Sequence, residues 1–400
     1  MDNGSGVVDW SEIGEDELVS IANRLYSVTD YFHLSQVCKA WRSINTLTRQ
    51  NVLIPQPPLL MLAESKKNTT KEEDNLQTNN KTVRRGFVGL NNTNKVYELH
   101  LPELYQRRCV GSTGNWLITV NTELEINIFN PFSRTQFHLP SQSTLPDQYL
   151  FEFSDGEDDE FTQEDYTGRF LTKVVLSSPS AYINSKLDDV VAIACYGTKK
   201  RLAIARPGDE SWTTIKSADI LVDDVIFFKD RFYFVNRVGR VAYYDISCNP
   251  IVATHVSGEF RTDRYYVDKY YLVEWMGELL MVCKYFTEDE LYYNTREFRV
   301  FKFNFDIKEW EEIKSLGQYS LFLGFNTSVS LLASDSSTFR CDCIYFTDDY
   351  MMGYIGTGTE GGSDMGVCDL KDGTIKPHYP GISTSLYSPP LWIIPQSLYQ

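Results

Sequence analysis

The sequence predicts a mainly β protein: a short α-helical segment over residues 1–50, then a β-propeller over residues 51–400, with six blades favoured. Three observations carry that expectation. The spacing of apolar residues changes from helical to strand-like near residue 50. A pattern of strand, polar turn and strand then recurs six times, at a period of roughly fifty residues, the length a four-stranded blade requires. Finally, 25 Tyr and 23 Phe in 400 residues tilt the composition toward strand. Seven blades are the alternative if residues 143–180 hold more strand, and a pair of β-sandwiches is the alternative that the repeat argues against.

The helical part comes first. Leu18, Ile21 and Leu25 recur at three- and four-residue steps, as do Leu34, Val37, Trp41 and Ile44. Glu15, Asp16 and Glu17 put negative charge in the first turn of the first helix, where the helix dipole favours it. Ser27-Val28-Thr29-Asp30 breaks that helix and offers an N-cap for the next. Two or three short helices bury too little to stand alone, so some of their apolar surface awaits a partner. A helix that docks into an apolar groove presents anchors at i, i+3, i+4 and i+7. Leu18, Ile21 and Leu25 have that spacing, and Val37, Cys38 and Trp41 repeat it. Trp41 beside Arg42 is the residue type that dominates interface energies. The alternative is that Val37 and Trp41 knit the helices to one another. Both roles are expected to be shared, with Leu18, Leu25, Val37 and Cys38 favoured for partner contact.

Two stretches read as flexible loops. Residues 64–85 are charged and rich in Asn and Thr. Residues 154–166 contain seven carboxylates and no cation between Asp155 and Asp165, the composition of a solvated loop. Between and after them lie the repeats: residues 96–102, 125–140, 202–216, 241–256, 298–313 and 365–377. More apolar pairs of strands precede them, as at Asp224 to Val235 and Tyr270 to Cys283. Leu391-Trp392-Ile393-Ile394-Pro395 is placed to close the ring onto the first blade.

The net charge of −16 excludes several functions. Phosphate-backbone and anionic-membrane binders need basic surface, so neither nucleic acid nor membrane is expected as a partner. The first residues lack a basic n-region and an apolar h-region, and no apolar run approaches the ~18–20 residues of a membrane helix. Eight cysteines, mostly within apolar runs, read as reduced thiols. A soluble intracellular protein is expected, in which sequons such as Asn326-Thr327-Ser328 carry no meaning.

No catalytic constellation stands out. Cys341-Asp342-Cys343 is the one close cysteine pair and reads as a buried apolar pair, because zinc would need two more ligands and the five histidines do not cluster. Nucleophile motifs of the GxSxG, SxxK and HExxH types are absent. Gly356-Thr357-Gly358-Thr359-Glu360-Gly361 satisfies GxGxxG, yet Glu360 and Asp364 would repel a pyrophosphate, so it reads as an inter-strand loop. Paired acids in a propeller channel stay open, since their separation is invisible in sequence. Tyr265, Tyr266, Tyr270, Tyr271, Tyr292 and Tyr293 fit either a partner surface or cross-strand packing. The expectation is no catalytic residue, no metal and no cofactor.

The motifs also resemble a known family. Residues 10–18 (WSEIGEDEL), 21–25 (IANRL), 30–34 (DYFHL) and 37–43 (VCKAWRS) are similar to the F-box, the helical module that docks a substrate receptor onto the Skp adaptor of a cullin ubiquitin ligase. Ile13-Gly14 stands where a Leu-Pro pair is usual, which removes a preset helix start. Residues 111–117 (GSTGNWL), 130–134 (NPFSR), 271–282, 310–324, 343–348 (CIYFTD) and 390–395 (PLWIIP) resemble the plant family of KIB type, in which a kelch-like propeller follows the F-box. The resemblance implies an F-box over residues 1–50 that meets the adaptor through Ile13, Leu18, Ile21, Leu25, Leu34, Val37, Cys38, Trp41 and Arg42. Through the adaptor it implies cullin and RING subunits, an unidentified protein substrate on the propeller, and a location in the nucleus and/or cytoplasm. Some members of that family block a kinase directly, which supplies a second reading; an enzyme with its site in the propeller channel is a distant third.

Overall fold

The computed structural model describes residues 13–22, 34, 37–38, 41, 57–64, 83–90, 93–146, 170–177, 190–215, 221–248, 251–260, 266–287, 293–333, 338–356 and 360–394. Most of the loop expected at 64–85 and all of the one at 154–166 lie outside these. Among the described residues the strands fall into six sheets, the blades of a propeller.

Blade 1 joins both ends of the ring. Its strands are β1 (Leu59–Met61), β2 (Arg84–Gly89), β3 (Val96–His100) and the last strand, β25 (Leu391–Ile393), which pairs antiparallel with β1. Blade 2 holds β4 (Arg107–Thr113), β5 (Trp116–Asn121), β6 (Ile126–Phe129) and β7 (Gln136–Leu139). Blade 3 holds β8 (Leu171–Leu176), β9 (Ala192–Tyr196), β10 (Arg201–Ala205) and β11 (Thr213–Thr214). Blade 4 follows with β12 (Val222–Phe228), β13 (Arg231–Asn236), β14 (Val241–Tyr244) and β15 (Ala253–His255). Blade 5 comprises β16 (Lys269–Trp275), β17 (Glu278–Phe286), β18 (Thr295–Asn304) and β19 (Glu309–Ile313). The six repeats legible in the sequence are the outer strands of these blades, and the apolar pairs before them are inner strands.

Blade 6 departs from that plan. It has five strands: β20 (Tyr319–Leu323), β21 (Val329–Leu332), β22 (Cys343–Phe346), β23 (Gly366–Asp369) and β24 (Ile375–Lys376). The chain turns from β20 to β21, which lies on the axial side, then returns outward so that β22 pairs parallel to β20. The innermost strands β25, β4, β8, β12, β16 and β21 are neighbours around the axis.

The core is divided into six layers, each between two successive blades. A strand buried on both faces reads as a continuous apolar run, because alternate side chains serve different layers. On β13, Phe232 and Phe234 enter the layer shared with blade 3, while Tyr233 and Val235 enter that shared with blade 5. Residues 111–117 are the clasp of the ring. Ser112 Oγ donates to Trp392 O at 2.5 Å, and Ile394 N donates to Gly114 O at 3.2 Å. Gly111 permits the close approach of β4 to β8: a Cβ there would lie 2.3 Å from Val174 O.

Candidate functional site

Two regions are the candidates for a functional site: the N-terminal helical cluster and the axis of the ring. In the first, helix α1 (Glu15–Ala22) carries its three acids in the first turn, and Leu18 N donates to Gly14 O at 3.1 Å. Leu18, Ala22 and Leu34 form a small buried cluster against which Ile13, Val19, Ile21 and Trp41 pack in part. Leu18 and Leu34 are therefore used within the cluster. Val37 instead projects into solvent, 53% exposed, with Cys38 half-buried beside it. Leu25 and Arg42 lie outside the described residues.

The axis is built around residues 324–328, which leave blade 6 and meet three other blades. Thr327 N donates to Ser112 O of blade 2 at 2.7 Å, and the Thr327 and Thr113 hydroxyls are 2.7 Å apart. Lys173 of blade 3 donates to Gly324 O at 3.3 Å and pairs with Asp224 of blade 4 at 2.6 Å. Asp224 Oδ2 also accepts from Leu272 N of blade 5 at 2.9 Å and from Ser328 Oγ at 3.3 Å. Gly324 has φ +152°, and a Cβ there would collide with Thr347 Oγ1. Asn326, in the sequon, is buried and donates to Phe322 O and Thr327 O.

A second group of charges joins blades 5 and 6. Blade 5 supplies Lys269, which pairs with Asp349 at 2.7 Å, and Lys284, which pairs with Asp364 at 2.9 Å. Tyr271 OH donates to Asp349 Oδ1 at 2.7 Å, and Thr295 donates to Asp364 through N and Oγ1. Burial alone would raise the pKa of Asp349, but the Lys269 and Lys284 charges outweigh it and hold that carboxyl below its ordinary value. Asp348 goes the other way. Burial and then the nearby Asp364 push it up to about 6, although Tyr293 OH and Gly362 N donate to its Oδ2. Its Oδ1 has no partner. On the same blade, His378 bonds Phe346 O at 3.1 Å through Nε2 and its ring lies tilted against Trp392, centroids 5.0 Å apart, and burial lowers it to about 4. Asp349 and Asp364 are thus engaged by side chains of the neighbouring blade 5.

Other sequence features resolve more simply. Asn130 Oδ1 accepts from Phe132 N and Ser133 N, so the NPFSR stretch is a turn between β6 and β7. Cys343 is buried, but Cys341 is exposed, because β22 begins only at Cys343; the expected buried pair is corrected to one buried and one exposed thiol. Among the described residues no three His, Cys, Asp or Glu side chains gather as a metal site. Helix α2 (Met351–Gly356) precedes the GxGxxG stretch and β23 follows it, the reverse of a dinucleotide loop. Of the six tyrosines, Tyr270 and Tyr271 are buried, Tyr293 bonds Asp348, and Tyr266 is 60% exposed beside Arg237. Tyr265 and Tyr292 lie outside the described residues. Sequence reading missed the buried lysine–aspartate pairs; the one signal was the run Thr347-Asp348-Asp349 directly after an apolar strand.

Comparison with known proteins agrees with this architecture. Residues 87–369 match the family model described as KIB1-4 beta-propeller. The putative F-box protein At5g55150 of Arabidopsis thaliana is 25% identical over 85% of this chain and 85% of its own length. F-box protein SKIP23 of the same plant is 25% identical over 97% of this chain and 96% of its own. F-box protein At2g26160, also of Arabidopsis thaliana, is 24% identical over 85% of this chain and 96% of its own.

Proposed function

The chain belongs to the KIB1-4 beta-propeller family, and from that premise we propose that it is the substrate receptor of a Skp–cullin–F-box ubiquitin ligase. Residues 1–50 form the F-box and residues 51–400 the kelch-like propeller. The helical cluster docks the Skp adaptor and through it the cullin and RING subunits, and the propeller holds a protein substrate. The receptor makes and breaks no bond; it raises the effective concentration of a substrate lysine near the charged enzyme. It acts in the nucleus and/or cytoplasm.

The observation that carries this reading is likeness to F-box proteins along the whole chain, the helical cluster included. Exposed Val37 supports it as an apolar anchor of the adaptor surface; Ile13, Leu18, Ile21, Leu25, Leu34, Cys38, Trp41 and Arg42 are the other residues assigned to that surface. The test is a pull-down with a plant Skp adaptor. Wild type is expected to bind, and Val37→Asp to lose at least tenfold in affinity, since an aspartate cannot enter an apolar groove. Absence of binding by wild type would refute the receptor role. If it binds but its partner's abundance ignores proteasome inhibition, the chain is instead a blocker of a partner enzyme such as a kinase.

A further inference from the structure

Blades 3, 4 and 5 converge on one exposed patch that mixes apolar side chains with cations. The turn from β9 to β10 supplies Lys199 and Lys200, and Leu221 stands directly before β12. The turn from β13 to β14 supplies Arg237 and Val238, and Tyr266 lies just ahead of β16. Hydrogen bonds hold these segments side by side. Leu221 N donates to Lys199 O at 2.8 Å, and Arg237 N donates to Leu221 O at 2.9 Å. Arg237 Nη2 donates to Tyr266 OH at 2.9 Å, with the guanidinium 5.8 Å from the centre of that ring. Leu221, Val238 and Tyr266 are 40%, 48% and 60% exposed, and Lys199 is exposed with them.

The charge of this patch runs against that of the molecule. Asp223 Oδ1 anchors both Lys200 Nζ, at 3.2 Å, and Arg237 Nη1, at 4.0 Å. The carboxylate is buried while both cations reach solvent, so it fixes their positions and leaves their outer sides open. With Lys199, three cations stand against one carboxylate; Arg240 and Glu259 beside them pair at 3.5 Å and cancel. The chain as a whole carries −16, but its distant acids are screened beyond about 8 Å at physiological salt, so the local cations decide what docks. Cations already held in place lose less freedom when a partner's carboxylate meets them. The aliphatic and aromatic surface between them gains only when an apolar side chain covers it. The complementary ligand is a chain segment with carboxylates on both sides of a large apolar residue. We propose that Lys199, Lys200, Leu221, Arg237, Val238 and Tyr266 form the surface on which the propeller takes such an acidic segment of its protein substrate. This assignment rests on the receptor reading and names the substrate chemistry it lacks.

Fluorescence anisotropy of the full chain in about 0.15 M salt tests this, with the labelled peptide Glu-Glu-Leu-Glu-Glu-Phe-Glu-Glu as probe. Wild type is expected to bind it. The same peptide with serine for leucine and phenylalanine, or with lysine for every glutamate, should bind about tenfold more weakly or not at all. Val238→Asp and Lys199→Glu change exposed side chains, leave Asp223 paired, and should each weaken binding about tenfold. Ile307→Asp alters another exposed aliphatic residue, in the turn from β18 to β19, and should leave affinity unchanged. Absence of binding by wild type at millimolar peptide overturns the proposal, as do equal affinities for wild type, Val238→Asp and Lys199→Glu. Equal binding of the serine peptide also overturns it, because the patch would then attract any polyanion. Adaptor pull-down on the same proteins separates the two readings. Adaptor binding without peptide binding removes this surface alone, and peptide binding without adaptor binding removes the receptor role alone.

Discussion

Asp348 and His378 are opposed titrating groups on one blade. The carboxyl, raised to about 6, binds its proton more tightly in the folded chain than in the unfolded one. Its contribution is therefore favourable below the ordinary carboxylate range and is lost as pH rises through about 6. The imidazole, lowered to about 4, is neutral when folded and takes a proton more readily when unfolded. Its contribution is lost as pH falls from about 6.5 through about 4. Across that window the two slopes offset each other. Asp348→Asn should therefore raise stability at pH 7.5 by up to about 2–3 kcal/mol and at pH 4.5 by only about 1 kcal/mol. The variant should then fall more steeply in acid than wild type, as the His378 slope is uncovered. Denaturant midpoints at several pH values check this, and parallel curves for variant and wild type would count against it.

Among elements, the segment 324–328 is the least ordinary. It reaches blades 2, 3 and 4 from blade 6 and closes on the Lys173–Asp224 pair. A buried pair is weak evidence of net stabilisation, but removing one partner leaves an uncompensated charge in a dry site. Lys173→Met should cost about 3–5 kcal/mol. Combining it with Asp224→Asn should recover at least about 1 kcal/mol of that loss, since the double variant leaves no lone charge. Urea unfolding of both single variants and the double variant measures the coupling. Additive losses would mean that the pair contributes nothing as a pair.

The whole molecule depends on a ring closed by its last strand. Trp392 is buried in the layer between blades 6 and 1, where its ring meets Phe322 and Tyr345 edge-on at 5.3 and 6.4 Å. Trp392→Ala should cost about 3–5 kcal/mol. A chain ending at Pro390 should lose the cooperative thermal transition, because β1 would expose an unpaired edge and two layers would open. Scanning calorimetry with limited proteolysis reads this out. An unchanged transition in the truncated chain would show that closure by β25 contributes little.

Much of this was legible without coordinates. The switch of apolar period near residue 50, the outer strands of the six blades and the closing strand followed from local pattern, because strand propensity and turn chemistry act over few residues. Blade 6 did not follow. The turn of β20 into β21 and the parallel pairing of β22 depend on contacts with other blades, to which the local spacing of residues 319–346 is blind. The same holds for charge. The sequence fixes how many lysines and aspartates there are, and its acidic balance weighed against nucleic acid. Which of them pair in the interior is decided by burial. The energy of a charge depends on what surrounds it, and only the tertiary structure sets those surroundings.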